Sequence, residues 1–490
     1  MQAGDRVSYR LTFAVLAAGG AAFALLQSLI IPVLPTVQAN LHTTQNAATW
    51  ILTAYLLSAS ICTPIVGRIG DMTGKKRMLV ITLVALALGS VLAALADSIG
   101  VMIAARVIQG IGGGVLPLSF GIVRDVFPED KVSGTVSIIA SLTGAGSGLG
   151  IAIAGPIVSV LSYQWLFWLP AIMVTIAAIA AYFVVPESPV SGHGKINWLA
   201  AVLLAGWLAS LLLAVSEAPE WGWASFDVLG LLALAVLLGV AWIWIEARSS
   251  NPLIDMKMMR IPAVWTVNTV ALLVGAGMYA TFAFAPQFIQ TPSETGYGFS
   301  ASITISGVLL LPQAASSFIL GSVSGRLTDT FGGRRVLASA MIIATLGFAM
   351  LTGLHDSAWQ VVVALTVIGV GFGTAYAAMS NLVVNAVPKD QTGVASGMNA
   401  NIRTIGGSIG TAAVSSMVTA NVAASGLPTE SGYTNGFMLM TIITAVAIVA
   451  AMAIPATTAR RRRGRYTPST VPHGELGLVA GGTLAGSDPE

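Results

Sequence analysis

Fourteen apolar runs follow one another along this chain, and each is long enough to cross a membrane as a helix. A bilayer core of about 30 Å requires about 20 apolar residues per helix. Runs of this length are centred near residues 23, 58, 88, 111, 148, 175, 207, 236, 276, 312, 345, 371, 408 and 445. Glycines and polar residues weaken the runs near 148, 371 and 408, which leaves twelve or thirteen spans as alternatives. We expect fourteen.

Composition argues against a soluble protein. Charged residues make up 9% of the chain, whereas a soluble domain carries about 25%. An aqueous surface cannot be built from so few charges, so most of the surface must face lipid. A backbone in lipid must satisfy its own hydrogen bonds, and the apolar runs have helical length. The sequence therefore predicts an all-α integral membrane protein.

Basic residues are unevenly distributed between the two sides of these spans. With the N-terminus inside, 21 of the 23 lysines and arginines fall in or beside cytoplasmic connections, and only Arg106 and Arg403 lie within spans. The outer connections carry acidic residues instead: Asp97, Glu217, Glu220, Asp227, Glu294, Asp356 and Glu430. Cytoplasmic loops retain positive charge, so both termini are predicted to be cytoplasmic. The basic residues therefore indicate topology and not a nucleic-acid surface.

The amino-acid usage and the C-terminal segment specify the expected location further. The chain has 6 lysines against 17 arginines, which favours a GC-rich bacterial genome and hence the bacterial cytoplasmic membrane. Five arginines open the segment 457–490, which is otherwise rich in Gly, Ser, Thr and Pro. Such a composition cannot bury enough apolar surface to fold. We expect a disordered cytoplasmic tail whose arginines contact anionic membrane lipid.

A sequence motif occurs twice in the chain. GRIGDMTGKKRML at 67–79, between spans 2 and 3, is echoed 258 residues later by GRLTDTFGGRRVL at 325–337, between spans 10 and 11. Parallel repeats of this kind are typical of transporters that rock two halves around a midplane site. The repeat predicts a six-helix bundle at 1–190, two inserted helices with linkers at 191–260, a second six-helix bundle at 261–456 and a tail at 457–490.

Two motifs carry a family resemblance. GRIGDMTGKKR resembles the loop 2–3 signature of the major facilitator superfamily, and Arg106-Val-Ile-Gln109-Gly110-Ile-Gly112 is similar to its span-4 motif. With fourteen spans, the chain resembles the drug:proton antiporter branch. The resemblance implies the major facilitator fold, with two six-helix bundles plus two inserted helices, and a role in coupling for Arg106.

The chain departs from that branch in two places. Leu26 stands where span 1 of such antiporters has an acid, and only Gly155-Pro156 remains of the span-5 antiporter motif. A lipid or metabolite transporter, or a facilitator without proton antiport, therefore stays an alternative. A non-transporting membrane sensor or assembly protein is an alternative of another class.

The loop signature predicts a conformational latch. Gly67 and Gly74 permit tight turns and close helix approach. Asp71 can pair with a base such as Arg77 or cap the N-terminus of a facing helix, and Asp329 repeats it in the second half. A pure topology signal is the alternative reading.

Arg106 is the ionisable group that we expect to couple transport. It lies roughly 8 Å below the outer start of span 4, at 1.5 Å per residue, where a cation is costly and functional by default. Gln109 shares its helix face. Snorkelling to the outer headgroups is the alternative. Because Asp, Glu, Lys and His are missing from the middle of every predicted span, Asp97 near Arg106 is the candidate proton carrier.

Neutral polar and aromatic groups should line the substrate cavity. The candidates are Gln27, Tyr55, Asn268, Tyr279, Gln313, Tyr376, Asn381, Asn399 and Asn401, with Arg403 as a further candidate. Taken alone, each of these residue types more often forms a hydrogen bond between helices than a contact with a ligand. Such a cavity suits hydrophobic or amphipathic small molecules such as drugs, dyes or antibiotics. We therefore expect a monomeric exporter that works by alternating access and is coupled to protons.

Enzymatic activity is not expected. The single cysteine, Cys62, lies in an apolar run, and the chain has no metal-type Cys/His spacing, no nucleophile–base pair at depth and no phosphate-binding loop of the Walker type. The sequence therefore predicts neither a cofactor nor a metal.

Overall fold

The computed structural model describes residues 3–187, 197–249, 251–420 and 427–455. These ranges are helical and contain no β-strand. The long helices are span 1 Ala3–Ser28, span 2 Gln45–Thr73, span 3 Lys75–Ala94, span 4 Ile99–Gly110 with Val115–Val126, span 5 Glu129–Val160, span 6 Trp165–Val184, span 7 Trp198–Trp221, span 8 Phe226–Arg248, span 9 Pro262–Gln290, span 10 Ile303–Phe331, span 11 Gly333–Gly353, span 12 Ala358–Ala386, span 13 Thr392–Ala420 and span 14 Glu430–Met452. The predicted tail at 457–490 and the predicted boundary at 190/191 lie outside the described residues.

Short helical pieces complete the chain between these spans. The 3-10 turn Ile111–Gly114 joins the two parts of span 4, and a short helix, Leu34–Asn40, follows span 1. A second short helix, Met256–Met259, precedes span 9. The glycines of the 3-10 turn let span 4 approach span 2 closely, since a Cβ at Gly113 would collide with the Thr63 hydroxyl.

Thirteen helices in the described ranges are long and apolar enough to cross a membrane. The exception among the fourteen spans is span 13, which has 29 residues but is more polar. Its Asn399, Asn401 and Arg403 are buried within the protein. Because neighbouring helices surround these side chains, span 13 needs less apolar surface than a lipid-facing helix does.

Single glycines make the two turns of the repeated motif. Gly74 connects span 2 to span 3 with a φ of 113°, and Gly332 connects span 10 to span 11 with a φ of 86°. Both lie in the left-handed region, which only glycine adopts readily. The repeated glycine therefore has the same backbone role in both halves, as the sequence predicts for Gly74.

The two ends of the helix assembly differ in charge. We call the end where spans 2 and 10 finish and spans 3, 11 and 13 begin the basic face, because it carries the repeated motif. The opposite end, with Asp97, Asp227, Glu294, Asp356 and Glu430, is the acidic face. The basic face is the predicted cytoplasmic side.

A glycine-rich seam joins the halves along spans 5 and 10. Close contacts occur at Gly155 with Thr304, Gly307 with Ala152, Gly148 with Ala314, Gly321 with Ser141 and Gly325 with Ser133. These positions follow both helices from the acidic to the basic face. Small residues allow such backbone approach in membranes.

Spans 2 and 13 join the halves near the basic face. Gly67 meets Gly393, and Gly397 meets Thr63. The inserted span 7 packs against both of these helices, while span 8 packs mainly on span 7. The rings of Trp207 and Trp242 stack between the two inserted helices at 5.4 Å.

Candidate functional site: a cavity between the two halves

A cavity of about 620 Å³ lies between the halves. Spans 1, 2, 4, 5, 7, 9, 12 and 13 line it. Its lining reaches the acidic-face ends of spans 1, 7 and 13, at Ile31, Glu220 and Thr419. Its walls contain no residue from the basic-face ends of these helices. The cavity therefore opens towards the acidic face only.

Backbone contact between spans 2 and 13 closes the basic face. A Cβ at Gly67 would lie 2.7 Å from the Gly393 carbonyl oxygen, so no side chain fits there. The Asp71 carboxylate accepts hydrogen bonds from the backbone N–H groups of Gly393 at 3.4 Å and Val394 at 3.1 Å. These are orphan donors in the first turn of span 13, where a negative charge is favourable. Asp71 thus caps a helix of the opposite half, as one predicted alternative required.

The base beside Asp71 is Lys75 and not the predicted Arg77. The Lys75 ammonium lies 3.5 Å from Asp71 and 2.7 Å from Asp125, and its side chain is 2% exposed. Arg77 is exposed on the basic face. The turn explains the difference, because Gly74 ends span 2 with a φ of 113° and places Lys75, the first residue of span 3, beside Asp71, while Arg77 lies on the exposed side of span 3.

A second bond crosses the basic face. Arg124 at the end of span 4 donates to the Pro388 carbonyl at 3.1 Å and to the Thr392 hydroxyl at 2.7 Å. Asp329, the repeat partner of Asp71, lies exposed at the end of span 10. The two motif aspartates therefore differ in burial, although their sequences match.

Arg106 is fully buried and lines the cavity. Its Nε donates to the Ile51 carbonyl at 3.0 Å, and its Nη1 donates to the Gln109 amide oxygen at 2.8 Å. Its guanidinium lies 4.4 Å from the ring centre of Tyr55, and Gln109 donates onward to Ser90 at 3.2 Å. The side chain points into the protein, so the snorkelling alternative is wrong.

Arg403 occupies a comparable position in the other half. It lies 11 residues after Thr392, where span 13 begins. Its Nη2 donates to the Tyr376 hydroxyl at 3.0 Å, and its guanidinium lies 4.1 Å from the Tyr376 ring centre. Each half thus presents one arginine stacked on a tyrosine to the same cavity.

The cavity contains six of the ten predicted lining residues: Gln27, Tyr55, Tyr279, Tyr376, Asn401 and Arg403. Gln27 donates to the Tyr279 hydroxyl at 3.0 Å, which links span 1 to span 9 across the cavity. The Tyr55 hydroxyl and both polar atoms of the Asn401 amide have no hydrogen-bond partner. Because these atoms are buried in the cavity wall, a ligand reaches them only if neighbouring side chains shift.

The other four predicted lining residues do not line the cavity. Asn399 donates to Asn268 at 2.9 Å and so joins spans 13 and 9. Asn381 donates to Ser137 at 2.7 Å between the halves. Gln313 borders only a void of about 20 Å³. These predictions were wrong because a polar residue at depth can bond a neighbouring helix as well as a ligand.

The predicted proton carrier Asp97 is not buried beside Arg106. Asp97 is exposed in the connection before span 4 and forms no ion pair with Arg106. Glu217 and Glu220, which we expected in an outer connection, lie instead in the last turns of span 7. Glu217 is 5% exposed, and Glu220 lines the cavity mouth.

Sequence reasoning missed the polar wall of the cavity. Ser408, Thr411, Ser415 and Thr419 line it from span 13. They recur at three- and four-residue intervals, which place them on one helix face. That spacing could have identified this wall, but glycines and other small residues weaken the helical signal there.

Comparison with known proteins agrees with this architecture. The family model described as Major Facilitator Superfamily matches residues 16–411. The multidrug transporter protein MdtP of Bacillus subtilis is 28% identical over 372 residues, which are 74% of this chain and 66% of MdtP. The uridine/deoxyuridine transporter of Lactococcus lactis is 27% identical, over 79% of this chain and 82% of that protein.

A solved structure has the same fold. The human organic anion transporter MFSD10 superposes with a TM-score of 0.67 at 15% identity, covering 90% of this chain and 99% of MFSD10. At that identity the similarity concerns the fold alone. The family match, the relatives and the fold agree that this multi-pass chain belongs to the major facilitator superfamily, whose members here are transporters and not enzymes.

Proposed function

We propose that the protein is a secondary active transporter that exports hydrophobic or amphipathic small molecules across the bacterial cytoplasmic membrane, with both termini in the cytoplasm. The observation that carries the proposal is the 620 Å³ cavity between the halves, open at one face and closed at the other. Drug-sized ligands occupy pockets of roughly 300–1,000 Å³. If the acidic face is the outer one, this conformation is outward-open.

Alternating access would use the two contacts between the halves differently. The glycine seam of spans 5 and 10 supports a rocking axis, because its close packing runs the full length of both helices. The contact of spans 2 and 13 is short and depends on backbone donors capped by Asp71. Breaking that contact would open the basic face.

The lining chemistry supports an amphipathic substrate. Phe23, Met278 and Phe282 supply apolar surface, while Gln27, Asn401 and the three cavity tyrosines supply polar groups. The name of the similar protein MdtP, a multidrug transporter, is consistent with this proposal.

A single-metabolite carrier is the second candidate function. The uridine/deoxyuridine transporter is about as similar to this chain as the multidrug protein is, and this similarity supports the second candidate. The Asn401 amide supports it too, because its donor and acceptor atoms both lack a hydrogen-bond partner. An uncharged polar solute could use both atoms.

Proton coupling is part of the proposal and needs a carboxylate other than a span-1 acid. Among the described residues the buried carboxylates are Asp71, Glu217 and Glu246. Glu246 accepts hydrogen bonds from the backbone N–H groups of Leu253 and Ile254 near the basic face. Asp71 accepts hydrogen bonds from the start of span 13 and so holds the basic face closed. We therefore assign proton carriage to Glu217, which lies in the helix that packs against both spans 2 and 13.

Efflux from proteoliposomes tests the function. Purified protein would be reconstituted, and flux of ethidium, rhodamine 123, fluorescein and uridine would be measured with and without an imposed pH gradient. We expect saturable dye flux that the gradient accelerates. Saturable uridine flux without dye flux would favour the metabolite carrier, and no flux of any probe would contradict both.

A further inference from the structure

Positively charged side chains outnumber carboxylates in the lining of the cavity. Arg106 and Arg403 line its middle and are 0% and 7% exposed, whereas the one carboxylate in the lining, Glu220, lies at the exposed end of span 7. Neither arginine forms an ion pair with any described carboxylate. Their hydrogen-bond partners, Ile51, Gln109 and Tyr376, are neutral.

Two other buried charged groups of the described chain, Lys75 and Glu246, have compensating partners. The buried Lys75 ammonium contacts two carboxylates, Asp71 and Asp125. The buried Glu246 carboxylate accepts from two backbone N–H groups. A buried charge without compensation is costly in a low-dielectric interior. The cavity is therefore the place where the chain keeps positive charge available at depth.

Arg403 has more unused hydrogen-bonding capacity than Arg106. Arg106 engages its Nε and one Nη with protein acceptors. Arg403 engages only Nη2, with the Tyr376 hydroxyl. A guanidinium has five N–H donors, so most of those of Arg403 remain for a ligand. Stacking on Tyr376 fixes the plane of the guanidinium, which is the arrangement that binds planar oxyanions through two parallel bonds.

The neutral groups nearby are hydrogen-bond donors as well. The Tyr55 hydroxyl and the Asn401 amide are each 1% exposed, line the cavity and lack partners. The hydroxyls of Tyr376 and Tyr279 accept bonds from Arg403 and Gln27, so each can still donate its own proton. These donors suit an acceptor-rich group.

We propose that the cavity binds amphipathic organic anions, with the carboxylate, sulfonate or phosphate group held by Arg403 and the apolar body against Phe23, Met278 and Phe282. This inference rests on the proposed transport function and names its substrate class. Glu220 opposes an anion only at the mouth, where water and salt screen its charge.

Two dyes of one ring system and opposite charge test the inference. Fluorescein is anionic and rhodamine 123 is cationic, and both have a xanthene body. Flux would be measured in proteoliposomes clamped at zero membrane potential, with valinomycin and equal potassium on both sides. We expect saturable fluorescein flux that exceeds rhodamine 123 flux, and weakening of fluorescein binding by at least about 10-fold in Arg403→Gln, since bonds to charged groups contribute about 1.5–3 kcal/mol.

Matched variants separate charge at the cavity from charge elsewhere. Arg248→Gln removes the same charge from the basic-face end of span 8, where Arg248 stacks on Trp244, and should leave the fluorescein affinity unchanged. Tyr55→Phe removes only an unpartnered hydroxyl and should weaken fluorescein binding about 2- to 10-fold. It keeps the test available if Arg403→Gln does not fold, as judged by size-exclusion chromatography.

The outcomes are distinct. Rhodamine 123 flux that exceeds fluorescein flux and is unaffected by Arg403→Gln would overturn the anion inference and leave the export function intact. Unchanged fluorescein affinity in both Arg403→Gln and Tyr55→Phe would also overturn it. Absence of flux for both dyes, with uridine flux also absent, would overturn the transport proposal itself.

Discussion

The Asp71 carboxylate of span 2 accepts a hydrogen bond from the Val394 N–H at the start of span 13, at 3.1 Å and across the two halves of the protein. A side chain of one repeat thus satisfies the helix end of the other. The bond can form only while the basic face is closed, so it links the stability of one conformation to one carboxylate.

Asp71→Asn should weaken this closure. The amide keeps the shape of the side chain but loses the charge, and the interaction of a carboxylate with a helix N-terminus contributes about 0.3–2 kcal/mol. We expect the open-cavity population to fall, measured as up to about 10-fold slower maleimide labelling of Thr411→Cys in a Cys62→Ser background. Asp227→Asn, an exposed acid in the first turn of span 8, is the control. Equal labelling in Asp71→Asn and in the control would contradict the latch.

Gly67→Ala should prevent closure of the basic face through sterics alone. The new Cβ would lie 2.7 Å from the Gly393 carbonyl oxygen, so the helices must separate. We expect flux to be lost, and maleimide labelling of Thr411→Cys in the cavity to slow in a Cys62→Ser background. Gly100→Ala is the matched control, because nothing lies within 4 Å of a Cβ there. Normal flux in Gly67→Ala would show that the contact is not needed for transport.

Arg106→Ala should abolish transport and lower stability. It removes the bonds to the Ile51 carbonyl and to Gln109 inside a buried site, and leaving the Gln109 amide oxygen without a donor costs about 1–3 kcal/mol. Membrane expression, melting temperature and flux would be measured together. Arg106→Lys retains the charge but cannot reproduce both bonds, so we expect partial stability without normal flux. Wild-type flux in either variant would refute a coupling role.

Glu217→Gln should uncouple flux from the pH gradient. The substitution keeps the size of this buried side chain and removes its titration, so gradient-driven flux should fall to the rate of downhill exchange, which should itself be preserved. Glu294→Gln, exposed at the acidic face, should behave like wild type. If the gradient still accelerates flux in Glu217→Gln, another group carries the proton.

Sequence patterns sufficed for the fold because they report local and lipid-driven requirements. The apolar runs predicted the fourteen long helices, and the loop motif predicted the glycine turn at Gly74, which recurs at Gly332 in the second half. The same patterns were weaker for span 13, whose polar residues are shielded by neighbouring helices. Its existence as a helix was predicted, but its low apolarity could be explained only from its burial.

The candidate site, too, was only partly predictable from the sequence. Residue type and depth were enough to nominate Arg106, Arg403 and the cavity tyrosines, because a guanidinium or a phenolic hydroxyl in a membrane segment needs a hydrogen-bond partner. Whether a polar residue faces a void or a neighbouring helix depends on rotation and packing between helices distant in sequence. Asn401 faces the cavity, whereas Asn399, two residues away, bonds Asn268. That difference, the Lys75 partner of Asp71 and the placement of Glu217 within span 7 were decided by tertiary contacts alone.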